Sequence, residues 1–387
     1  DHSRHETLNQ YKVDDIVKRL ADIRGWENES QPNTSSSGEL LRDLRILKSN
    51  VKALAWRIEQ LDAPAPGEDV FGAITIQSAL EASSNSFVVS SRICRSDDIY
   101  SDWHRLLSRA LKSSNYKLRK IWEWTFTIKA LHSMGYLNGT VSGLGFGCGT
   151  EPLASCFANY VNKILVTDAP PSVIEGKGWS ETNQHTASLE QAKYEWLADR
   201  HLLDKVMEFE YVDMNAIPAH LHGGFDFVWS SCALEHLGSK ALGLKFIVES
   251  AKCLKPGGIA IHTTEFDLSN SSTIDNWQTV LFNQHDFAVR LPEMLLQVSR
   301  VDPSLDFEVV QLDCSRGSGF LDGYVDIPPY SYHWDVNESF GQALNRASAK
   351  DPSESELIAN PLYQYPQMNL SVDGFPCTSI AIVVKRK

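Results

Sequence analysis

A run of glycines at every second position is the feature that most restricts how this chain folds. It follows the apolar end of a predicted strand and consists of Gly143, Gly145, Gly147 and Gly149. Without Cβ atoms the backbone can turn tightly here and lie close to a ligand. A predicted helix opens at Glu151-Pro152, and the free N–H groups of a helix N-terminus attract carboxylates and phosphates. The segment therefore predicts a strand, a turn and a helix arranged around a ligand.

The glycine spacing separates two classes of ligand. A dinucleotide-binding fold requires G-x-G-x-x-G, and here the third glycine of that pattern is replaced in every register by Cys148, Thr150 or Pro152. A nicotinamide-dependent oxidoreductase is therefore excluded. The pattern present is G-x-G-x-G, which resembles motif I of the class I S-adenosylmethionine-dependent methyltransferases.

Further motifs follow in the order that this family shows. They are a second strand at Lys163 to Asp168, a third at Phe209 to Asp213, a fourth at Phe225 to Ser231, and a fifth at Ile259 to His262. The resemblance extends from about Trp122 to the C-terminus. It implies an α/β fold with a Rossmann-like seven-stranded sheet and helices on both faces. Two later strands, Phe307 to Leu312 and Thr378 to Val384, would complete the sheet, the final one antiparallel.

The resemblance implies S-adenosylmethionine as the cofactor. The acid that ends the second strand, Asp168, would accept both ribose hydroxyls, as a similar acid does in Rossmann folds. Asp213 would accept the adenine amine, and Met214 would supply an adaptable apolar wall. The predicted cofactor-binding residues are Gly145, Gly147, Gly149, Glu151, Asp168, Asp213, Met214 and Ser230.

One position departs from the family pattern. The family usually carries Asp or Glu two residues before the first glycine of G-x-G-x-G, and here that position is Gly143. The acid commonly helps to hold the amino end of the cofactor. Glu151, one turn later, is either a substitute for it or an ordinary acid at a helix N-terminus, and both interpretations stay open.

Candidate catalytic residues lie where the fourth and fifth strands end. Chemistry in open α/β sheets occurs beyond the C-terminal ends of the strands, which brings Glu235-His236 near His262 and Glu265. His236 is the first candidate for the general base and His262 the second, with a carboxylate to orient the ring. Ordinary capping and solvation explain the same residues equally well. No metal is predicted, because neither an i,i+4 histidine pair nor a dense acid cluster occurs.

Composition excludes several classes of function. The chain of 387 residues has 36 basic and 49 acidic side chains, a net charge of −13, which repels nucleic acids. The basic cluster Lys117 to Lys120 is interpreted as the solvated side of a helix. No apolar run approaches the roughly 18 residues of a membrane span. Seven scattered cysteines without a C-x-x-C pair favour a reducing, cytoplasmic location.

Four segments are predicted along the chain. Residues 1–62 contain three heptads with an apolar seam, Leu40 to Leu61, and form an α-helical coiled-coil arm for homo-oligomerisation; the alternative is a helical hairpin packed on its own chain. Residues 63–69 are a stiff linker. Residues 70–135 form a mixed and helical lid, and residues 136–387 the methyltransferase domain. An insertion at about 313–376 in that domain is predicted to bind substrate or a partner.

These features together predict a methyltransferase acting on a small-molecule or sugar/glycan acceptor, of the type found in bacterial glycan and natural-product pathways. Transfer to oxygen with a histidine base is the main hypothesis. The alternatives are an N-methyltransferase of a small amine and a catalytically inactive scaffold subunit of the same fold.

Overall fold

The computed structural model describes residues 74–83, 87–113, 116–174, 188–269, 274–275, 279–326, 367–372 and 375–387. Some of the predicted segments fall outside these ranges. They are the coiled-coil arm of residues 1–62, the linker of residues 63–69 and most of the insertion at 313–376.

Helical segments dominate the described residues before the glycine motif. They are α1 (Ile76–Ala82), α2 (Ser96–Ile99), α3 (Asp102–Ala110) and α4 (Arg119–Ser133), with strand β1 (Ser91–Ile93) after α1. The N-terminus of α3 is capped by Ser101, whose hydroxyl accepts a hydrogen bond from the backbone N–H of His104. Every residue of α4 from Ile121 to Leu131 is buried. A helix buried on all sides runs through the interior and not along the surface.

The remaining strands join β1 in one sheet. They are β2 (Ser142–Phe146), β3 (Lys163–Asp168), β4 (Met207–Tyr211), β5 (Phe225–Ser231), β6 (Leu254–Asp267), β7 (Phe307–Val309), β8 (Leu312–Asp313), β9 (Leu370–Val372) and β10 (Phe375–Arg386). Their order is β4-β3-β2-β5-β6-β10-β1-β8, and β7 and β9 also pair with β10. The predicted α/β fold is confirmed.

The sheet is larger than the seven strands predicted. Besides the seven strands β4, β3, β2, β5, β6, β10 and β7, the short strands β1 and β9 pair with β10, and β8 pairs with β1. The bounds of β3 and β5 are as predicted. In contrast, β6 runs from Leu254 to Asp267, because the long β10 pairs with it antiparallel from Lys385 back to Cys377.

Strand order reverses at β2, which lies parallel between β3 and β5. The chain runs from β2 outward through β3 to β4, then returns to the other side of β2 for β5 and β6. In open α/β sheets ligands bind at such a switch point, beyond the C-terminal ends of the strands. Here that edge carries the turn after Phe146 and the segment after Ser231.

Helices cover both faces of the sheet. Those after β2 are α5 (Leu153–Phe157), α6 (Pro171–Ile174), α7 (Arg200–Val206), α8 (Lys240–Ala251), α9 (Leu291–Val301) and α10 (Phe320–Gly323). Side chains alternate along β5, as a strand requires. Phe227 and Trp229 enter the apolar core that includes α4, whereas Val228 enters the core that includes α8. Among the described helices, none is long and apolar enough to cross a bilayer.

Candidate functional site at the C-terminal edge of the sheet

The glycine turn begins where β2 ends. Gly147 and Gly149 have φ values of +56° and +50°, a left-handed conformation that glycine adopts without strain. A Cβ atom on Gly147 would lie 2.9 Å from Cβ of Ala233 and 3.2 Å from Sδ of Met214. The turn therefore brings the segments after β2, β4 and β5 into contact at one point.

The two earlier glycines, Gly143 and Gly145, lie within β2, where neighbouring side chains pack closely around them. A Cβ atom on Gly143 would lie 2.4 Å from Cζ of Phe227, and one on Gly145 would lie 2.4 Å from Sγ of Cys148. Packing against β5 explains why Gly143 is glycine, and Cys148 together with Trp229 of β5 explains Gly145. These contacts concern an added side chain, so the main-chain contact of Gly145 with the cofactor stays a prediction.

Asp168 occupies the predicted place at the end of β3. Its side chain is buried, with Oδ2 accepting a hydrogen bond from the N–H of Gly149 at 3.1 Å and Oδ1 from the N–H of Ala169 at 2.7 Å. The carboxylate is therefore fixed against the glycine turn. Each carboxylate oxygen has a further lone pair that can accept from a hydroxyl.

The residues predicted to contact adenine follow β4. Met214 is buried and its sulfur lies beside Gly147. Asp213 is half-buried, and its Oδ1 accepts a hydrogen bond from the N–H of Asn215 at 2.8 Å. Met214 thus forms an apolar wall next to the turn, as the prediction requires.

Two predicted site residues are in the core instead. The ring of His262 is fully buried, with Nδ1 2.8 Å from Oγ of Ser230 and Nε2 2.9 Å from Oγ of Ser250. Burial lowers the pKa of His262 to about 3. Both ring nitrogens and the Ser230 hydroxyl are thus engaged in hydrogen bonds within the core, which argues against His262 as the base and Ser230 as a cofactor contact.

Glu235 and His236 lie in a 3₁₀ turn, Leu234–His236, directly after β5. The side chain of Glu235 is buried and Oε2 accepts a hydrogen bond from Oγ1 of Thr264 at 3.0 Å. Burial raises the pKa of Glu235, against the lowering effect of His236. His236 is only half-buried, and its Nδ1 lies 3.3 Å from Oγ1 of Thr279.

A buried group of charged side chains, here called the charged cluster, lies where the N-terminal end of α4 meets the sheet. Its members are Arg119, Lys120, Glu123, Glu151 and Glu265. Lys120 Nζ lies 2.6 Å from Oε1 of Glu151 and 3.4 Å from Oε2 of Glu123. Arg119 forms an ion pair with Glu265 and lies 3.8 Å from Glu123. The cluster thus connects the glycine turn to the end of β6.

Glu123 is the centre of the charged cluster. It accepts hydrogen bonds from a thiol and three hydroxyls, which belong to Cys232, Ser231, Thr263 and Ser379. Burial alone would raise the pKa of Glu123, but the charges of Lys120 and Arg119 outweigh burial and lower it. Burial also raises the pKa of the Cys232 thiol well above its ordinary value, so this thiol stays protonated and donates.

The interpretation of Lys117 to Lys120 as a solvated helix side is wrong for Arg119 and Lys120. Their side chains are only 12% and 23% exposed, because α4 is enclosed by the sheet and its neighbouring helices. Glu123 was not predicted as a site residue from the sequence. One signal was present: Glu123 lies between Trp122 and Trp124, two large aromatic residues of a kind that is usually buried. A charge among buried residues requires a buried partner.

The residues present fit S-adenosylmethionine. Asp168 and Met214 flank the glycine turn with a carboxylate for hydroxyls and an apolar wall. Glu151 lies next to the same turn, where its carboxylate interacts with Lys120 and with the indole of Trp124. A carboxylate in this position can also accept a hydrogen bond from a cationic group of a ligand.

Comparisons with known proteins agree with this geometry. Residues 144–262 match a family model described as a methyltransferase domain, a span that runs from β2 into β6. No curated protein matches the chain.

Several solved structures are similar at low identity. The [4+2]-cyclase SpnF is 16% identical, with coverage of 82% of this chain and 98% of that chain and a TM-score of 0.37. An S-adenosylmethionine-dependent methyltransferase from Mesorhizobium loti is 13% identical, with coverage of 67% and 97% and a TM-score of 0.31. CalS10, an amino pentose methyltransferase from Micromonospora echinaspora with bound S-adenosylmethionine, is 17% identical, with coverage of 43% and 52% and a TM-score of 0.25.

Because these identities and TM-scores are low, the assignment depends on the domain match and on the motifs that form the site. The matched span contains the glycine turn, Asp168, Met214, and the strands β3 and β5 that lie on either side of β2. The chain therefore contains a methyltransferase domain at residues 144–262, whose motifs resemble those of the class I S-adenosylmethionine-dependent methyltransferases.

Proposed function

We propose that this methyltransferase transfers the methyl group of S-adenosylmethionine to a hydroxyl of a small or sugar-like acceptor, with His236 as the general base. The observation that carries the proposal is the position of His236. Its N–H donates to the backbone oxygen of Ala233 at 3.3 Å, and Ala233 packs against Gly147. His236 therefore lies three residues beyond Ala233, the residue that contacts the glycine turn.

The chemistry divides between cofactor and protein. The cofactor supplies an electrophilic methyl group, and the protein must hold the acceptor in line and remove its proton. We assign proton acceptance to Nε2 of His236, because Nδ1 faces the hydroxyl of Thr279. The buried carboxyl group of Glu235 lies close enough to interact electrostatically with the ring.

The cofactor is assigned to the glycine turn, with Asp168 on the ribose hydroxyls and Met214 against the adenine. The side chains of α4 close this edge of the sheet against water, since Arg119 and Lys120 reach Glu265 and Glu151 across the strand ends. Exclusion of water favours methyl transfer to the acceptor over loss of the methyl group to solvent.

An amine acceptor is the second candidate, and one observation favours it. Oε2 of Glu265 is buried without a hydrogen-bond partner among the described residues, and the residue is only 8% exposed. A desolvated carboxylate of this kind binds and orients an ammonium group. In that case Glu265, and not His236, governs turnover.

The cofactor assignment is tested by calorimetric titration of wild-type protein and Asp168→Ala with S-adenosylmethionine. We expect the substitution to weaken binding by more than about tenfold, the effect of losing hydrogen bonds to a charged group. Unchanged affinity would show that Asp168 does not bind the ribose hydroxyls. Replacement of an exposed acid, Asp204→Ala, is the matched control.

The acceptor assignment is tested by measuring S-adenosylhomocysteine release with panels of hydroxylated and amine acceptors. For a hydroxyl acceptor we expect His236→Gln to lower turnover while cofactor affinity stays unchanged. The exposed His220, 61% exposed, provides the control substitution His220→Gln. Loss of turnover in Glu265→Gln with full activity in His236→Gln would establish the amine alternative.

A further inference from the structure

The position before the glycine motif cannot carry an acid in this fold. A Cβ atom on Gly143 would meet the ring of Phe227 at 2.4 Å, and one on Gly145 would meet the ring of Trp229 at 2.4 Å. Both rings are buried in the core, so they cannot move aside at low cost. Any carboxylate that balances the positive charges of the cofactor must come from another part of the chain.

Glu151 is placed to supply that carboxylate. Its backbone N–H donates to the carbonyl oxygen of Cys148 at 3.2 Å, which ties the residue to the glycine turn. Oε1 is held by Nζ of Lys120 at 2.6 Å. Oε2 is buried, and the carboxyl group also interacts with the indole of Trp124. Lys120 and Trp124 thus hold the carboxylate in place, and a carboxylate oxygen can accept a further hydrogen bond from a ligand.

The charge of the surroundings favours a cationic ligand. With every group ionised, the charged cluster has two cations, Arg119 and Lys120, against three carboxylates, Glu123, Glu151 and Glu265, which leaves a net charge of −1. S-adenosylmethionine carries a sulfonium, an ammonium and a carboxylate, and is therefore net positive. Burial of an unbalanced charge is costly, so ligand and cluster stabilise each other.

We propose that Oε2 of Glu151 accepts a hydrogen bond from the α-ammonium group of S-adenosylmethionine, and that Lys120 is the positioning residue for this carboxylate. The inference rests on the proposed cofactor site. Lys120 comes from α4, outside the matched domain, and donates to Oγ and the backbone oxygen of Ser231 as well, both at 3.2 Å. The helix before the sheet thereby completes the cofactor site.

A pair of ligands tests the role of Glu151. Wild-type protein and Glu151→Gln are titrated by calorimetry with S-adenosylmethionine and with 5′-methylthioadenosine, which lacks the amino-acid end. We expect the substitution to weaken binding of S-adenosylmethionine by more than about tenfold and to leave binding of 5′-methylthioadenosine unchanged. Glu208→Gln, which removes an exposed ion pair with Lys163 on β4, should change neither affinity.

The role of Lys120 is tested by the pH dependence of binding in Lys120→Met. Burial raises the pKa of Glu151 even in the presence of Lys120, and removal of the ammonium raises it further. The variant should therefore bind S-adenosylmethionine more weakly than wild type, and the difference should grow as the pH is lowered, whereas 5′-methylthioadenosine should bind both proteins alike. A purely structural role for Lys120 would weaken both ligands to the same extent.

Three results would overturn the inference. The first is a Glu151→Gln variant that binds S-adenosylmethionine as tightly as wild type, and the second is a variant that loses both ligands equally. In either case Glu151 does not contact the ammonium group, although the cofactor site itself stands. Wild-type protein that binds neither ligand would refute the cofactor site and the inference together.

Discussion

Replacement of Glu123 by glutamine should destabilise the fold by about 3 kcal/mol. Glutamine keeps the shape of the side chain but has one acceptor oxygen in place of two. Of the four donors on Glu123, about two would lose their acceptor, and each buried donor left without a partner costs about 1–3 kcal/mol. The lower part of that range applies, because Arg119 and Lys120 keep their ion pairs with Glu265 and Glu151.

The assay is urea unfolding at 25 °C followed by tryptophan fluorescence, with Glu208→Gln as the control. The ion pair of Glu208 with Lys163 is 2.7 Å long, but the two side chains are 59% and 45% exposed. A pair of this kind contributes about 0–1 kcal/mol. The difference between the two variants therefore isolates the effect of burial.

The pH dependence gives a second check with a definite sign. The pKa of Glu123 is lowered in the folded protein from an ordinary value of 4.5. A group whose pKa is lowered by folding stabilises the fold at pH values above its unfolded-state pKa. This stabilisation is lost as the pH falls through its folded-state pKa. The free-energy difference between wild type and Glu123→Gln should be constant from pH 8 to pH 5 and decrease below about pH 4.5. A difference no larger than that of the control, or one that persists undiminished at pH 3, would refute this reasoning.

Three further substitutions or deletions have expected outcomes. Gly143→Ala should lower the free energy of unfolding by about 1–3 kcal/mol, because its Cβ would overlap the ring of Phe227; an unaffected urea midpoint would contradict this packing. His262→Ala should destabilise the fold by about 1–3 kcal/mol, because the buried Ser230 hydroxyl loses its partner and Ser250 keeps only its bond to the backbone oxygen of Ile247; the affinity for S-adenosylmethionine should stay unchanged by calorimetry. Deletion of residues 1–62 should reduce the number of protomers per assembly measured by light scattering, and an unchanged number would show that the predicted coiled coil does not mediate oligomerisation.

Local patterns were enough to predict the central strands. The bounds of β3 and β5 and the acid at the end of β3 follow from apolar runs that stop at polar residues. The glycine spacing and the order of the later motifs predicted the family before any tertiary contact was known. These features are local because strand formation and tight turns depend on neighbouring residues. The short strands β1 and β9 could not be predicted, since they exist only by pairing with other strands. The single strand predicted from Phe307 to Leu312 is divided into β7 and β8, because the first part pairs with β10 and the second with β1.

The charged cluster could be identified only from the tertiary structure. Lys120 and Glu151 are distant in sequence, and only the packing of α4 across the strand ends places them 2.6 Å apart. Side chains alternate between the two faces of a strand. His262 therefore faces α8, whereas its neighbour Thr263 faces α4 and forms a hydrogen bond with Glu123.

By itself, then, the sequence determined the central strands and the glycine turn, because each depends on local backbone geometry, and its motifs gave the resemblance that implies the cofactor. The tertiary structure alone decided which polar side chains meet at the sheet edge. Charges and histidines have the same local signature whether they are solvated, buried in the core or placed at a site, and only long-range packing distinguishes these environments.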